Sequence, residues 1–276
     1  MSSNLLDIYS DYLICQNKHA TATGLSDMLS GDISHDKITR YLNYEDLGSK
    51  DLWRYNKPEI RRHERAMGGV LILDDSIEEK PYTDENEIVA WHHSHAKGRH
   101  VKGINILSCL VSYNDAVLPF GYEIVHKDVS FSDIKTRKAK RKASTSKNEH
   151  FRNLIQQSID NKVLFDHVLA DNWFGSKENM KFIHGLGKKF IVGVKSNRTV
   201  ALSGKDKKEG KFQQVSSLNM RDGESKKVWL KDVSFPILLI KKIFTNEDGS
   251  VGVLYLASKT RPIFRSWPDW SIHYHW

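Results

Sequence analysis

The spacing of apolar residues changes from a helical to an alternating pattern near residue 68. Before that point, Leu5, Ile8, Tyr9, Tyr12 and Leu13 recur at helical spacing and predict a helix over residues 5–16. After it, GGVLILDDSIEE is a short apolar run that ends in acidic residues, as expected of a buried strand. Residues 101–125 are typical of two strands joined at a turn at Asn114-Asp115.

Two short helices around a glycine-containing turn are predicted between these regions. The first covers about residues 24–30, the turn lies at Gly31-Asp32, and Ser34 is a suitable N-cap for the second. This pattern is typical of a helix-turn-helix. In that arrangement the DNA-facing residues are His35, Lys37, Thr39 and Arg40. A helical hairpin that only packs on the core accounts for the same pattern.

The second half of the chain alternates strands and helices before it becomes rich in strands. The predicted elements are an amphipathic helix through Phe151 and Leu154, a strand within 163–174, a helix within 176–187, a strand within 188–197, and several strands within 200–257. A mixed α/β core with a small helical N-terminal domain follows from this order.

The net charge indicates the class of partner only in general terms. The 276 residues carry a formal charge of +8, and the pI is about 9.2. A basic chain favours a polyanionic partner, most commonly nucleic acid, although a basic enzyme without such a partner has the same charge. Cys15 and Cys109 form no CxxC pair, and no apolar run is long enough for a membrane span. These features, with an N-terminus unlike a signal peptide, predict a cytoplasmic protein.

Carboxylates close two of the predicted strands. Asp74 and Asp75 follow VLIL, and Asp171 follows HVLA. The carboxyl edge of a sheet is where open α/β folds place their sites. Acids brought together there need a counter-cation, and hard divalent ions prefer oxygen ligands. Two Mg²⁺ ions held in this way support phosphodiester chemistry, whereas an isolated Asp at a strand end is more often a turn former or cap.

Two long segments resemble the catalytic blocks of a known family. LILDDSIEEKPYTDENEIVAWHHSHAKGRHVKGINILSCLVSY and HVLADNWFGSKENMKFIHGLGKKFIVGVKSN are similar to the first two blocks of bacterial insertion-sequence DDE transposases. The resemblance implies a ribonuclease-H-like core in which Asp, Asp and Glu bind two Mg²⁺ (or Mn²⁺) ions, with a β-rich insertion before the Glu. It also implies cleavage and strand transfer at terminal inverted repeats, target DNA as a second partner, and a homodimer on paired ends in a bacterial, nucleoid-associated protein.

The resemblance assigns the metal ligands in part. Asp171 corresponds to the second catalytic acid, and either Asp74 or Asp75 corresponds to the first, with Asp75 slightly favoured. On this basis we divide the chain into a helical DNA-binding region (1–66), the first part of the catalytic core (67–199), a β-rich insertion (200–258) and an aberrant tail (259–276).

The C-terminal part departs from the family pattern. The family's Glu lies on a helix with the pattern Tyr-x2-Arg-x3-Glu-x6-Lys, but no Glu follows Glu247 here. Three of the seven tryptophans lie in the last ten residues. We therefore predict a truncated or frameshifted chain that lacks the C-terminal part of the core and has little or no catalytic activity. Substitution of the Glu by Asp269 is the alternative, and a non-catalytic DNA-binding remnant or inhibitor of an intact transposase is the alternative function.

Several other groups are candidate sites. His92, His93, His95 and His100 lie close in sequence, but their spacing fits a phosphate-contacting or solvated loop better than a zinc site. Trp173 stacks on a displaced base or packs in the core. The basic residues expected to contact DNA are Lys97, Arg99, Lys102, Lys135, Arg137, Lys138, Lys140, Arg141 and Lys142. Lys195 and Arg198, just beyond a predicted strand, resemble family residues that hold the transposon end. The run from Lys135 to Lys142 is equally compatible with a solvated basic loop.

Overall fold

The computed structural model describes most of the chain in two compact units. The described residues are 2–16, 20–44, 46–64, 68–94, 97–114, 116–135, 137–246 and 248–260. The two units are Met1–Gly48 and Ser49–Trp276. The predictions that concern His95, Asp115, Glu247, Asp269 and most of the aberrant tail (261–276) lie outside the described residues.

The first unit contains three helices around a small core. They are α1 (Ser2–Cys15), α2 (Ala22–Met28) and α3 (His35–Tyr44). Leu5, Tyr12, Leu25 and Ile38 are its buried apolar residues. The turn between α2 and α3 contains Ser30 and Gly31, both with positive φ. Helices and turn thus lie where the sequence predicts them, and Ser34 Oγ accepts a hydrogen bond from the Lys37 amide at 3.3 Å.

The second unit contains the remaining helices and all the described strands. The helices are α4 (Ser49–His63), α5 (Lys147–Asp160), α6 (Lys177–Gly185) and α7 (Gly204–Lys208). The strands are β1 (Val70–Glu79), β2 (Ala90–Ser94), β3 (Arg99–Tyr113), β4 (Ala116–Ile124), β5 (Val129–Ser132), β6 (Ala139–Lys142), β7 (His167–Ala170), β8 (Lys189–Val194), β9 (Thr199–Ala201), β10 (Gln213–Gln214), β11 (Ser225–Leu230), β12 (Ile237–Thr245) and β13 (Val251–Ser258).

The central strands have the order β4-β3-β1-β7-β8. The first three are antiparallel neighbours, whereas β7 is parallel to β1 and β8 is parallel to β7. Each parallel crossover contains one helix, α5 before β7 and α6 before β8. This is the strand arrangement of a ribonuclease-H-like core, so the predicted fold class is confirmed.

The β-rich part extends the central sheet. β13 pairs antiparallel with β8, and β12, β11, β9 and β10 follow outward from it. Residues 199–258 therefore continue the same hydrogen-bonded sheet from β8. Strands β5 and β6 form a separate two-stranded sheet, which the sequence analysis did not predict.

The sheet buries apolar residues on both faces. On the helix face, α4, α5 and α6 cover the sheet through Ile60, Phe151, Ile155, Met180 and Ile183. The second face is marked by Leu169, Ile191, Ile240 and Leu256. Helix α4 packs on β4 in this unit, and the two compact units divide after Gly48.

Candidate active site

Strands β1 and β7 bring the predicted acids to one edge of the core. The two strands are parallel neighbours, and Leu73 is in register with Ala170. Asp74 follows Leu73 in β1, and Asp171 follows Ala170 directly after β7. Since neighbouring strands lie about 4.8 Å apart, residues in register on them are close enough for their side chains to interact. The sheet thus places Asp74 beside Asp171.

Asp74 and Asp75 point to opposite faces of the sheet, because side chains alternate along β1. Leu71 and Leu73 belong to the core on the helix face, whereas Val70 and Ile72 contact the core on the second face. Because successive side chains of a strand point to opposite faces, Asp75 continues the helix-face series and Asp74 the second-face series. Leu169 also belongs to the second face, so Asp171 continues the same series as Asp74.

The loop that follows β7 holds Asp171 in place. The Asp171 Oδ1 atom accepts hydrogen bonds from the backbone amides of Trp173 at 2.9 Å and Phe174 at 3.4 Å. The backbone of this loop lies close to the backbone of β8. A Cβ atom on Gly193 would be 2.6 Å from the Asn172 nitrogen. Glycine is therefore required at 193 for the loop to keep this position.

Burial and neighbouring carboxylates change the ionisation of both acids. Desolvation, followed by the charge of Asp74, raises the pKa of Asp171 to about 6. The pKa of Asp74 is also raised, by partial desolvation of its otherwise exposed carboxyl group and by the charge of Asp75. Carboxylates crowded in this way resist simultaneous ionisation unless a cation joins them.

Asp75 has a different environment because Lys147 forms an ion pair with it. Its Oδ2 atom accepts hydrogen bonds from Lys147 Nζ at 2.8 Å and from Asn105 Nδ2 at 2.9 Å. Only 16% of the Asp75 side chain and 24% of the Lys147 side chain are exposed. Lys147 begins α5, so this ion pair ties the start of that helix to β1. Asp75 already has a cationic partner, whereas Asp74 and Asp171 have each other.

Removing the lysine should destabilise the chain through Asp75. We expect Lys147→Met to lower the free energy of unfolding by about 1–3 kcal/mol, because a mostly buried carboxylate loses its partner. Urea unfolding of the purified chain measures this loss. Adding Asp75→Asn to Lys147→Met should restore part of it, since the orphaned charge is then absent. Equal stability of Lys147→Met and the wild type would contradict the pairing.

The donor atoms of the Asp74–Asp171 pair suit a divalent metal. Carboxylate oxygens are the ligands that Mg²⁺ and Mn²⁺ prefer, and a bound cation would offset the burial and the carboxylate repulsion that raise the pKa of both acids. Within the described ranges, no group of three or more His, Cys, Asp or Glu side chains is arranged to hold a metal ion. Asp74 and Asp171, which follow the paired residues Leu73 and Ala170, would supply two carboxylate ligands.

Cationic side chains surround the loop after Asp171. Lys147 Nζ lies 4.7 Å and Lys195 Nζ 5.8 Å from the centre of the Trp173 ring, which is 40% exposed. Arg198 Nη1 donates to the Gly175 carbonyl at 3.5 Å. The structure thus brings predicted residues Lys195, Arg198 and Trp173 to the edge that carries Asp171. Arg198 also lines a cleft of about 300 Å³ with Lys177 and Lys231.

Among the described histidines of β2 and β3, His92 lies on the other side of the sheet from His93 and His100. His92 is buried, and its burial together with Lys127 and Lys147 lowers its pKa to about 4. Its strand neighbour His93 points to the opposite side, where its ring lies 5.3 Å from that of His100.

The other predicted DNA contacts lie on exposed surfaces. His35, Lys37, Thr39 and Arg40 are exposed on α3 in the first unit. Lys97 pairs with Glu79 at 2.6 Å, so Lys97, Arg99 and Lys102 lie near the far end of β1 and not beside Asp74. The basic run lies in β6 and in the turn that joins it to β5, as Lys135, Arg137, Lys138, Lys140, Arg141 and Lys142.

Three residues that shape the site were not singled out from sequence. Lys147 and Asn105 contact Asp75, and Gly193 accommodates the loop that holds Asp171. Asn105 gave a usable signal, because it is a polar residue at an inward position of the long apolar strand β3. The roles of Lys147 and Gly193 depend on contacts between distant elements, for which the local pattern has no signal.

Comparison with known proteins identifies the family. A profile of the DDE superfamily endonucleases matches residues 3–211. No curated protein matches the sequence significantly. Among solved structures, the Drosophila P element transposase strand transfer complex has a TM-score of 0.33 and 10% identity, over 73% of this chain and 46% of that chain.

A second structure, Kluyveromyces polysporus Argonaute with a guide RNA, has a TM-score of 0.23 and 15% identity, over 73% of this chain and 22% of that one. The chain therefore spans less than half the length of each of these two proteins, and likenesses at this level support no functional conclusion. The family profile covers most of the chain, and the protein belongs to the DDE superfamily endonucleases.

Proposed function

We propose that the protein is a transposase of the insertion-sequence type that cleaves DNA phosphodiester bonds at Asp74 and Asp171. The observation that carries this proposal is the placement of these two acids one residue beyond the paired Leu73 and Ala170, where the parallel pairing of β1 and β7 ends, with the pKa of both raised. Membership of an endonuclease superfamily supports a nuclease reaction over other two-metal chemistry.

The residues of the chain would divide the work as follows. Asp74 and Asp171 hold Mg²⁺ or Mn²⁺, two ions in the family pattern, through carboxylate oxygens. When bound, the metal activates water and stabilises the leaving oxygen of the scissile phosphate. The amides of Trp173 and Phe174 keep the Asp171 carboxylate oriented. Lys147 forms an ion pair with Asp75, which lies on the other face of β1, so Asp74 is the first catalytic acid in this proposal, in place of the initially favoured Asp75.

Basic surfaces of both units would bind the DNA. Exposed Lys37 and Arg40 on α3 suit a recognition helix, and the β5–β6 sheet carries six cationic residues. Each Lys or Arg that neutralises a phosphate releases counterions, so binding should weaken steeply with salt. The DNA ligands in this proposal are terminal inverted repeats and a target duplex, bound by a homodimer on paired ends.

A DNA-binding protein without catalysis is the second candidate. It is favoured by the missing third ligand: no Glu, Asp, His or Cys completes a three-residue metal group in the part of the chain that the structure describes. Two carboxylates hold a metal more weakly than three do, since affinity rises with the number of charged ligands. Such a chain would bind DNA ends and inhibit an intact transposase.

One assay separates the two candidates. The purified full chain is incubated with supercoiled plasmid and Mg²⁺ or Mn²⁺, and nicking is measured beside a gel-shift titration of the same DNA. Metal-dependent nicking supports the transposase. Binding without nicking at any metal concentration supports the non-catalytic protein, and the absence of both would overturn the two proposals together.

A further inference from the structure

The β5–β6 sheet has the form of a small ribbon outside the main sheet. Val129 pairs with Lys142 and Ser132 with Ala139, and neither strand joins the eleven-stranded sheet. The ribbon's base is closed by Asp128, whose carboxylate accepts hydrogen bonds from the Ser144 amide at 2.8 Å and hydroxyl at 2.6 Å. The ribbon is therefore a built projection between β4 and α5.

The turn of the ribbon is ordered by a second aspartate. The Asp133 carbonyl accepts a hydrogen bond from the Arg137 amide at 2.8 Å, and the Asp133 amide donates to the Lys138 carbonyl at 2.9 Å. Lys140 Nζ also pairs with the Asp133 carboxylate at 2.7 Å. These contacts join the two described sides of the turn.

One apolar side chain at this turn is almost fully exposed and has cationic neighbours. Ile134 is 95% exposed, and its neighbours Lys135, Arg137 and Lys138 are exposed as well. Because the Ile134 side chain is almost fully exposed, packing within the chain does not account for an isoleucine at this position. The surrounding positive charge also disfavours a second copy of this basic surface as the partner.

We propose that the β5–β6 ribbon enters the minor groove of duplex DNA and that Ile134 wedges between adjacent base pairs. This inference rests on the DNA-binding part of the proposed function. Proteins that bend DNA from the minor groove combine Lys or Arg contacts with an apolar side chain that partly unstacks one base step. Lys135, Arg137 and Lys138 supply the phosphate contacts in this ribbon, and Ile134 supplies the wedge.

The ribbon's position links this bend to the candidate active site. Only four residues separate the end of β6 at Lys142 from Lys147, which bonds to Asp75 beside Asp74. A duplex gripped by the ribbon is thereby held by the segment that leads directly to the catalytic edge. The expected role of the wedge is to deform DNA close to the bond that is cleaved.

The wedge predicts a preference for DNA that is easily unstacked. A duplex of about 25 base pairs with one central T·T mismatch should bind the full chain about tenfold or more tightly than the fully paired duplex, since a mismatched step costs less to unstack. Fluorescence anisotropy in EDTA measures both affinities without cleavage. Ile134→Ser should abolish the preference, and Ile134→Met should retain most of it.

Two further variants make the test specific. Val251→Ala changes an exposed apolar residue of the β12–β13 hairpin and should keep the preference. Lys138→Ala should weaken binding to both duplexes alike and reduce the salt slope by about one, because it removes a phosphate contact. If Ile134→Ser keeps the wild-type preference, or if the wild type binds both duplexes equally while it still nicks plasmid, the wedge is overturned and the proposed function stands. Failure to bind either duplex would overturn both.

Discussion

Asp171→Asn is expected to lower the rate of metal-dependent plasmid nicking by about 1000-fold or more, because a metal centre supplies several kcal/mol of transition-state stabilisation. Asn keeps the size of the side chain and its acceptor oxygen for the Trp173 amide, but it removes the charge that holds the metal. Asp74→Asn should have the same effect, since both acids serve one centre.

Asp75→Asn tests whether the metal ligand is Asp74 or its neighbour in sequence, Asp75. It should reduce nicking far less than Asp74→Asn, since Asp75 lies on the helix-face series with Lys147. Asp160→Asn, an exposed change at the end of α5, is the matched control and should leave nicking unchanged. Undiminished nicking by Asp171→Asn would place the chemistry elsewhere in the molecule.

Asp171→Asn is also expected to stabilise the metal-free chain at pH 7. The pKa of Asp171 is about 6 in the folded chain, against an ordinary value of 3.8. A difference of about two pH units corresponds to about 3 kcal/mol, and solvent access to the half-buried carboxyl reduces this to about 1–2 kcal/mol. The melting temperature should therefore rise by roughly 2–8 °C.

The pH dependence of this gain has a definite sign. The folded chain binds the Asp171 proton more tightly than the unfolded chain, so raising the pH from about 4 to about 6 removes stability from the wild type. The advantage of Asp171→Asn should thus be small at pH 4 and complete above pH 6. Saturating Mg²⁺ should reverse it, because the metal stabilises only the folded wild type. A pH-independent difference between the two proteins would contradict the raised pKa.

The sequence predicted the core elements well because their apolar patterns are strong. The β1 and β7 runs, the α5 stripe and the β3–β4 hairpin lie where they were predicted. Helix α4 was not predicted: it is rich in basic residues, contains Pro58 and buries little apolar surface besides Ile60. The ribbon was not predicted either, because β6 is AKRK and has no alternating apolar pattern.

The candidate site was predictable as a set of residues but not as a geometry. Strand ends after apolar runs marked Asp74, Asp75 and Asp171. The choice between Asp74 and Asp75 depends on which face of β1 meets Asp171, and that is decided by pairing with β7 about a hundred residues later in the chain. A local pattern does not contain that register, nor the approach of Lys147 to Asp75.

Manganese binding to the full chain tests the central claim most directly. Mn²⁺ is titrated at pH 7.5, well above the pKa of Asp171, and the free ion is followed by electron paramagnetic resonance. Asp74→Asn and Asp171→Asn should each weaken binding about tenfold or more, because each removes one charged oxygen ligand, whereas Asp75→Asn should bind as the wild type does. Loss of binding in Asp75→Asn with binding retained in Asp74→Asn would contradict the assignment of the metal site.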